Sequence, residues 1–333
     1  MQQNKPLFFA VIGVSIIVVI GLFVMGVLFF NLSPGPEQVS IQVVVGPAIK
    51  PWVEQAAQEF NQSQTQTQVE ITATTDLIPE NLFRPAAQNA PPAAWLAEST
   101  FLVNLATARD SSLRFDELRS TAHTSLAWGA FTDKQATFSQ QYGELSWESL
   151  HAKATASDDF LTIVIASPRN TAEGLAALIS ATAGHVNQPT LSGADVDGAS
   201  AWLSETFKEN TRVLPAPAEA FATTTGRSIG DLGMLSQAAW GRVGLQNRPD
   251  FSITPAQPQV SLDYPFALWA GRQATPEARQ AAIAFRDFLL SAGQQQALAE
   301  FFLEAAGAGA ADSVQVDGSA ALALERWVDL NLP

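Results

Sequence analysis

The chain has no cysteine and only three histidines among its 333 residues. The first absence excludes disulfide staples, thiolate metal sites, a cysteine nucleophile and a lipid-bearing cysteine anchor. His123, His151 and His185 stand far apart in sequence, which leaves little for a histidine-rich metal centre. Neither a metal nor a cofactor is expected. Basic residues are also scarce, with 18 Lys and Arg against 32 Asp and Glu for a net charge of −14. A surface for nucleic acid needs the opposite balance, so no nucleic-acid partner is expected. There is no G-x-x-x-x-G-K phosphate loop and no H-E-x-x-H zinc helix. No nucleophile–base pair can be assembled, so the chain does not read as an enzyme. Asp195-Val196-Asp197-Gly198 opens like a calcium loop but lacks the later oxygen ligands and closing glutamate, and reads as a turn leading into a helix.

What is present begins with a membrane signal. Residues 7–30 (LFFAVIGVSIIVVIGLFVMGVLFF) carry Ser15 as their only polar side chain. At about 1.5 Å per residue, a helix of that length crosses the ~30 Å hydrocarbon core. The run is longer than the apolar region of a signal peptide. Its exit, Asn31-Leu32-Ser33-Pro34, makes a poor cleavage site, which favours an uncleaved anchor over a cleaved signal. Lys5 precedes the run and the next basic residue after it is Lys50. Residues 1–6 are therefore expected in the cytoplasm and the remainder outside.

The whole chain is 47% apolar, which leaves the exported part enough for a sizeable core; that part shows no repeat of solenoid period and alternates strand and helix patterns. Residues 31–38 (NLSPGPEQ) read as a linker. Residues 39–45 (VSIQVVV) read as a strand, followed by a turn at Gly46-Pro47-Ala48. A helix over 50–60 would place Trp52, Val53, Ala56, Ala57 and Phe60 on one face. Residues 69–74 alternate like a second strand, and β-α-β order implies a parallel pair with a right-handed crossover. A Pro- and Ala-rich stretch at 79–94 precedes an apolar segment at 95–105. Further on, 160–166 (FLTIVIA) read as a buried strand that enters a helix over 171–183, ended by Gly184. Another helix is expected over 199–209, and 264–271 (YPFALWAG) are strand-like. Thr275-Pro276-Glu277 caps a helix through Leu290, with proline at the first helical position and an acid at the positive end.

Two strand-to-helix turns stand out as candidate sites, Gly46 to Lys50 and Ser167 to Gly174, because a helix start presents unpaired N–H groups. Asn170 and Thr171 serve there either as ligand contacts or as plain helix caps. Three blocks then resemble the bacterial extracellular solute-binding proteins of the type II periplasmic-binding fold. They are 43–60 (VVVGPAIKPWVEQAAQEF), 166–183 (ASPRNTAEGLAALISATA) and 263–299, with its DYP strand and F-x-x-F-L-L-S-x-x-x-Q helix. The resemblance implies an α/β fold with two lobes around a ligand cleft and residues 39–333 as the solute-binding domain. Lobe one would hold 39–124 plus 272–333 and lobe two 132–263, with crossing segments near 125–131 and 264–271. Carried over by position, the ligand contacts would be Pro47, Ala48 and Ile49 in the first turn and Asn170, Thr171 and Ala172 in the second. Trp95 and Ser99 match a W-x-x-x-S segment that lines the cleft in relatives. Asp263 and Tyr264 fall at the second crossing, where Asp263 would suit a cation and repel an anion. The implied role is capture of a small polar or anionic solute for the permease of an ABC importer. An anchored sensory or scaffold domain binding a protein partner is the alternative on the same fold.

Overall fold

β-Branched residues fill the strands at 39–45, 67–73 and 163–166, whereas the fully buried strands at 122–131, 232–236 and 265–269 are built mainly from Ala, Leu, Gly and aromatic residues. In chain order the strands begin with β1 (Val39–Val45), β2 (Thr67–Ala73), β3 (Ala94–Leu96), β4 (Phe115–Ser120) and β5 (Ala122–Phe131). There follow β6 (Ile163–Ala166), β7 (Thr190–Leu191), β8 (Thr211–Leu214), β9 (Leu232–Ser236) and β10 (Phe251–Pro255). The last four are β11 (Ser261–Leu262), β12 (Pro265–Trp269), β13 (Glu304–Ala305) and β14 (Gln315–Val316). The computed structural model describes residues 38–84, 90–156, 160–307 and 313–332. The expected membrane segment at 7–30 and nearly all of the linker lie outside the described residues, among which no helix is long and apolar enough to cross a membrane.

Two main sheets form. The first has the order β2-β1-β3-β12-β4, and the second β10-β5-β9-β6-β8. β1 and β3 run parallel, while β12 lies antiparallel to both β3 and β4. In the second sheet β6 is parallel to β8 and β9, and β5 is antiparallel to β9 and β10. The first four residues of β5 pair instead with β13 and β11, so β5 joins the second sheet proper only from Leu126.

The chain passes between the sheets at Thr121 and again at Asp263-Tyr264. The two passages are tied together: the Thr121 N–H and hydroxyl both donate to the Tyr264 carbonyl, at 3.1 and 2.8 Å. The Ser120 hydroxyl donates to the Asp263 carbonyl at 2.6 Å. Both passages fall at or before the amino ends of the segments expected to cross (125–131 and 264–271), because each of those segments continues as a paired strand.

Each sheet has its own core. The helix Lys50–Ser63 buries Trp52, Val53, Ala56, Ala57 and Phe60, the face its spacing predicts. Phe60 meets Phe285 and Phe288 of the helix Pro276–Leu289 edge-on, at 5.2 and 5.4 Å. The second core gathers Phe131, Val164, Phe221, Leu235, Trp240 and Phe251. Trp240 lies across Gly129, where an added Cβ would come within 2.4 Å of the ring, and its indole N–H donates to the Ala127 carbonyl at 3.2 Å.

Several elements differ from the sequence expectation. The helix expected to stop at Gly184 spans Ala172–Val186 and ends at Asn187, whose φ of 52° takes the left-handed turn. Gly184 is there for packing, since a Cβ would sit 2.9 Å from Trp147. The helix expected from 199 starts at Gly193, with Ser192 and Asp195 forming a capping box, so Asp195-Val196-Asp197-Gly198 lies inside it. The apolar segment at 95–105 divides into β3 and the helix Thr100–Arg109. A last helix, Gly318–Asn331, packs on both Thr100–Arg109 and Gly193–Phe207.

Candidate functional site

Two parallel strands deliver the site. β1 ends at Val45, and the turn Gly46-Pro47-Ala48 turns the chain into the helix Lys50–Ser63. β6 ends at Ala166, and Ser167 to Thr171 turns it into the helix Ala172–Val186. Ligands of open α/β sheets gather at such carboxyl ends of strands. Here both turns open on one cleft of about 310 Å³, lined by Pro47, Ala48, Asn170 and Thr171 with Glu98, Glu173 and Arg242. Pro51, Pro215, Ala216, Pro217 and Leu235 add apolar wall.

Glu98 defines the polar floor. It follows β3, and its Oε1 accepts from the Ala48 N–H at 3.4 Å. The Ala172 N–H, at the start of the other helix, also lies near this carboxylate and lowers its pKa. One side chain thus lies beside an amide from each of the two helix starts. Gly46 makes room for it, since a Cβ there would lie 2.6 Å from Glu98 Oε1. Burial, and then the neighbouring charge of Glu173, push the Glu98 carboxyl from 4.5 up to about 7, against the lowering effect of the two amides and Arg242.

Glu173 reaches the third strand-to-helix turn, accepting from the Ser236 N–H at 3.2 Å and from the Ser236 hydroxyl. Ser236 in turn caps the helix Gln237–Arg242 through the Ala239 N–H at 3.0 Å. From the end of that helix, Arg242 donates to the Ala48 carbonyl at 3.4 Å.

The residues singled out from sequence divide into groups. Pro47, Ala48, Asn170 and Thr171 are brought together on the cleft. Ile49 and Ala172 are fully buried beneath it, and Ala172 takes part through its backbone. Thr171 is committed as a cap: its Oγ1 accepts from the Gly174 N–H at 3.1 Å, and its hydroxyl donates to the Ser167 carbonyl at 2.8 Å. Trp95 packs against Phe115 and borders a small recess beside Glu98 and Asn170. Tyr264 is buried with a left-handed φ of 38°, and burial together with Glu98 and Glu173 holds its phenol well above the usual 10.

Ser99 and Asp263 do not reach this cleft; they line a separate depression of about 100 Å³. Asp263 caps the helix Thr100–Arg109, accepting from the Thr100 N–H at 2.7 Å and the Ser99 hydroxyl at 3.1 Å. A carboxylate so engaged at a helix start is accounted for by local structure.

Sequence reading missed Glu98, Glu173 and Arg242. The only signal for Glu98 and Glu173 was position beside a strand-to-helix turn, and Arg242, at the end of the helix Gln237–Arg242, had none. It also passed over Gly226-Arg227-Ser228-Ile229-Gly230, which has the spacing of a hydrolase nucleophile elbow. The segment opens with a single 3₁₀ turn, Gly226–Ser228, following a helix, and the exposed Ser228 hydroxyl donates to the Thr225 carbonyl at 2.8 Å. The strand-turn-helix setting of an elbow is missing. Among the described residues, no three of His, Asp and Glu are placed to hold a metal ion.

Two α/β lobes, joined by two passages of chain and enclosing a cleft at the carboxyl ends of their strands, define a type II periplasmic-binding protein. The chain belongs to the bacterial extracellular solute-binding protein family, whose sequence profile matches residues 41–304. Members of this class bind solutes and are not enzymes. No curated protein matches the chain in sequence. In structure it is similar to iron-bound HitA from Pseudomonas aeruginosa, with TM-score 0.57 and 15% identity over 88% of this chain and 98% of that one. It is also similar to the sulfate-binding protein SubI from Mycobacterium tuberculosis H37Rv (TM-score 0.56, 15% identity, 89% and 100% covered). A third is AfuA from Actinobacillus pleuropneumoniae, bound to fructose-6-phosphate (TM-score 0.57, 14% identity, 88% and 98% covered). At these identities the likeness establishes the fold.

Proposed function

We propose that this protein is the solute-binding component of an ABC-type importer, capturing a small polar solute between its lobes. The observation that carries the reading is the convergence of the turns at 46–48 and 170–172, one from each sheet, on one cleft within a chain of this family. Of the three structural relatives, one is described as iron-bound, one as sulfate-binding and one as bound to fructose-6-phosphate, so solutes of that size and polarity are the first to test.

In this reading, lobe one is the sheet of β1–β4 and β12 with its helices, and lobe two the sheet built on β5, β6 and β8–β10. The passages at Thr121 and Asp263-Tyr264 are the hinge. A solute touching both turns favours the closed arrangement by its differential affinity for it. Residues 7–30 tether the domain to the membrane, with the solute-binding domain outside facing a permease.

The test is a thermal-shift screen of the full chain in detergent against sugars, amino acids, amines and oxyanions. A solute at a hundred times its Kd stabilises the protein by about 2.7 kcal/mol. One chemically coherent group of solutes should raise Tm in a saturable way; a panel that leaves Tm unmoved throughout overturns the receptor reading.

A further inference from the structure

We propose that Glu98 permanently fills the anion seat of this cleft, so that the solute taken is a small organic ammonium ion and oxyanions are excluded. This rests on the receptor reading above and names the charge class of its solute.

The argument is a count of donors. A helix start attracts an anion because its amides are unpaired. Of the amides at the two helix starts, the Ala48 N–H donates to the Glu98 carboxylate at 3.4 Å, and the Ala172 N–H lies near the same group and lowers its pKa. The Thr171 hydroxyl, the next donor at the second turn, is spent on the Ser167 carbonyl. Among the side chains lining the cleft, what remains on the donor side is Asn170 and Arg242, and the latter already reaches the Ala48 carbonyl.

Acceptors, by contrast, are plentiful. A carboxylate offers about four acceptor sites, and the two amides leave Glu98 with capacity to spare. Glu173 and Glu219 bring the acids on the cleft to three, against Arg242 as its one base. An oxyanion entering this space would have to displace Glu98 and then face Glu173. An ammonium group meets two carboxylates set between apolar walls of proline and alanine. A bare metal ion fits less well, because among the described residues no three of His, Asp and Glu stand close enough to hold one.

The groups around Glu98 define how binding should depend on pH. They are Glu173 from the helix Ala172–Val186, Arg242 from the helix Gln237–Arg242, the Tyr264 phenol and the two amides. Tyr264, held well above 10, stays neutral. Glu98, titrating at about 7, gains its charge across the neutral range. An ammonium ion binding beside it favours the ionised form, so affinity should rise from pH 6 to 8 and approach ten-fold per unit below 7.

The experiment is calorimetric titration of the full chain in detergent with putrescine, spermidine, sulfate, phosphate and glucose, at pH 6, 7 and 8. The expected result is saturable binding of an amine that tightens with pH, no binding of either oxyanion, and at least ten-fold weaker amine binding in Glu98→Gln. Wild-type binding of sulfate, phosphate or glucose overturns the proposal while leaving the receptor reading intact. So does amine binding that is flat with pH or equal in Glu98→Gln, and the pH arm needs no variant to fold. Silence from every probe overturns the proposal, and the wider Tm screen then decides the receptor reading separately.

Discussion

Glu98 carries a stability signature that can be read without any solute. Its carboxyl titrates at about 7 in the folded chain, against 4.5 for the ordinary side chain. Between those values the folded state holds a proton that the unfolded state has released, so stability contributed by this group is complete below about 4.5 and is lost as pH rises through 7. The full loss is at most about 3 kcal/mol, at 1.36 kcal/mol per pH unit of difference. Other acids titrate as well, so the measurement is a difference: Tm of wild type minus that of Glu98→Gln should fall between pH 5 and 8. A difference independent of pH would show that burial does not raise this carboxyl. From sequence, Glu98 was one of 32 acidic residues, following the alanine at the end of an apolar strand. Its burial depends on Gly46 and on the far helix at Ala172, which no local pattern reveals. Asp263, by contrast, drew attention from its place in a resemblance, and its carboxylate is consumed by the cap at Thr100.

At the scale of elements, the strand-to-helix turns were the most legible feature, because proline, glycine and hydroxyl residues there have local reasons to exist. Gly174 shows how tightly the second turn is made, since a Cβ would lie 2.4 Å from the Ala166 carbonyl. Pattern reading failed where a residue answers to packing rather than to its own backbone, as Gly184 does beneath Trp147. Thr171 separates the two roles left open in sequence. With its lone pair on the Gly174 N–H and its proton on the Ser167 carbonyl, it has the geometry of a cap. Thr171→Ala should cost about 1 kcal/mol of ligand-free stability, and Thr171→Ser should restore most of it. Chemical denaturation of the two variants measures this. If Thr171→Ala instead leaves stability unchanged while weakening a solute identified by titration, the hydroxyl serves the ligand.

On the scale of the whole molecule, two lobes need something besides the hinge to keep their unfolding coupled, and the helix Gly318–Asn331 is placed to supply it. Asp317 caps it, accepting from the Ala320 N–H at 2.8 Å. Its buried face, including Leu324, Trp327 and Val328, packs on Thr100–Arg109 of one lobe and Gly193–Phe207 of the other. The Arg109 guanidinium Nε donates to Glu325 at 2.7 Å from the first side. From the second side, Ser200 accepts from the Trp327 indole at 3.3 Å and Arg169 donates to the Leu332 carbonyl at 2.8 Å. This strap lies beyond the segment matched by the family profile, which ends at 304, and its sequence alone does not say which two surfaces it covers. Truncating Trp327 to alanine should cost about 3–5 kcal/mol, the usual range for emptying a buried indole. More telling is the form of the transition. If the helix couples the lobes, wild type should unfold in one calorimetric step and Trp327→Ala in two, because the second lobe then loses the indole that meets the Phe207 ring and the Ser200 carbonyl. A single step of unchanged cooperativity in the variant would mean that the passages at Thr121 and Tyr264 are sufficient to bind the lobes into one folding unit. The helix would then be a passenger on both.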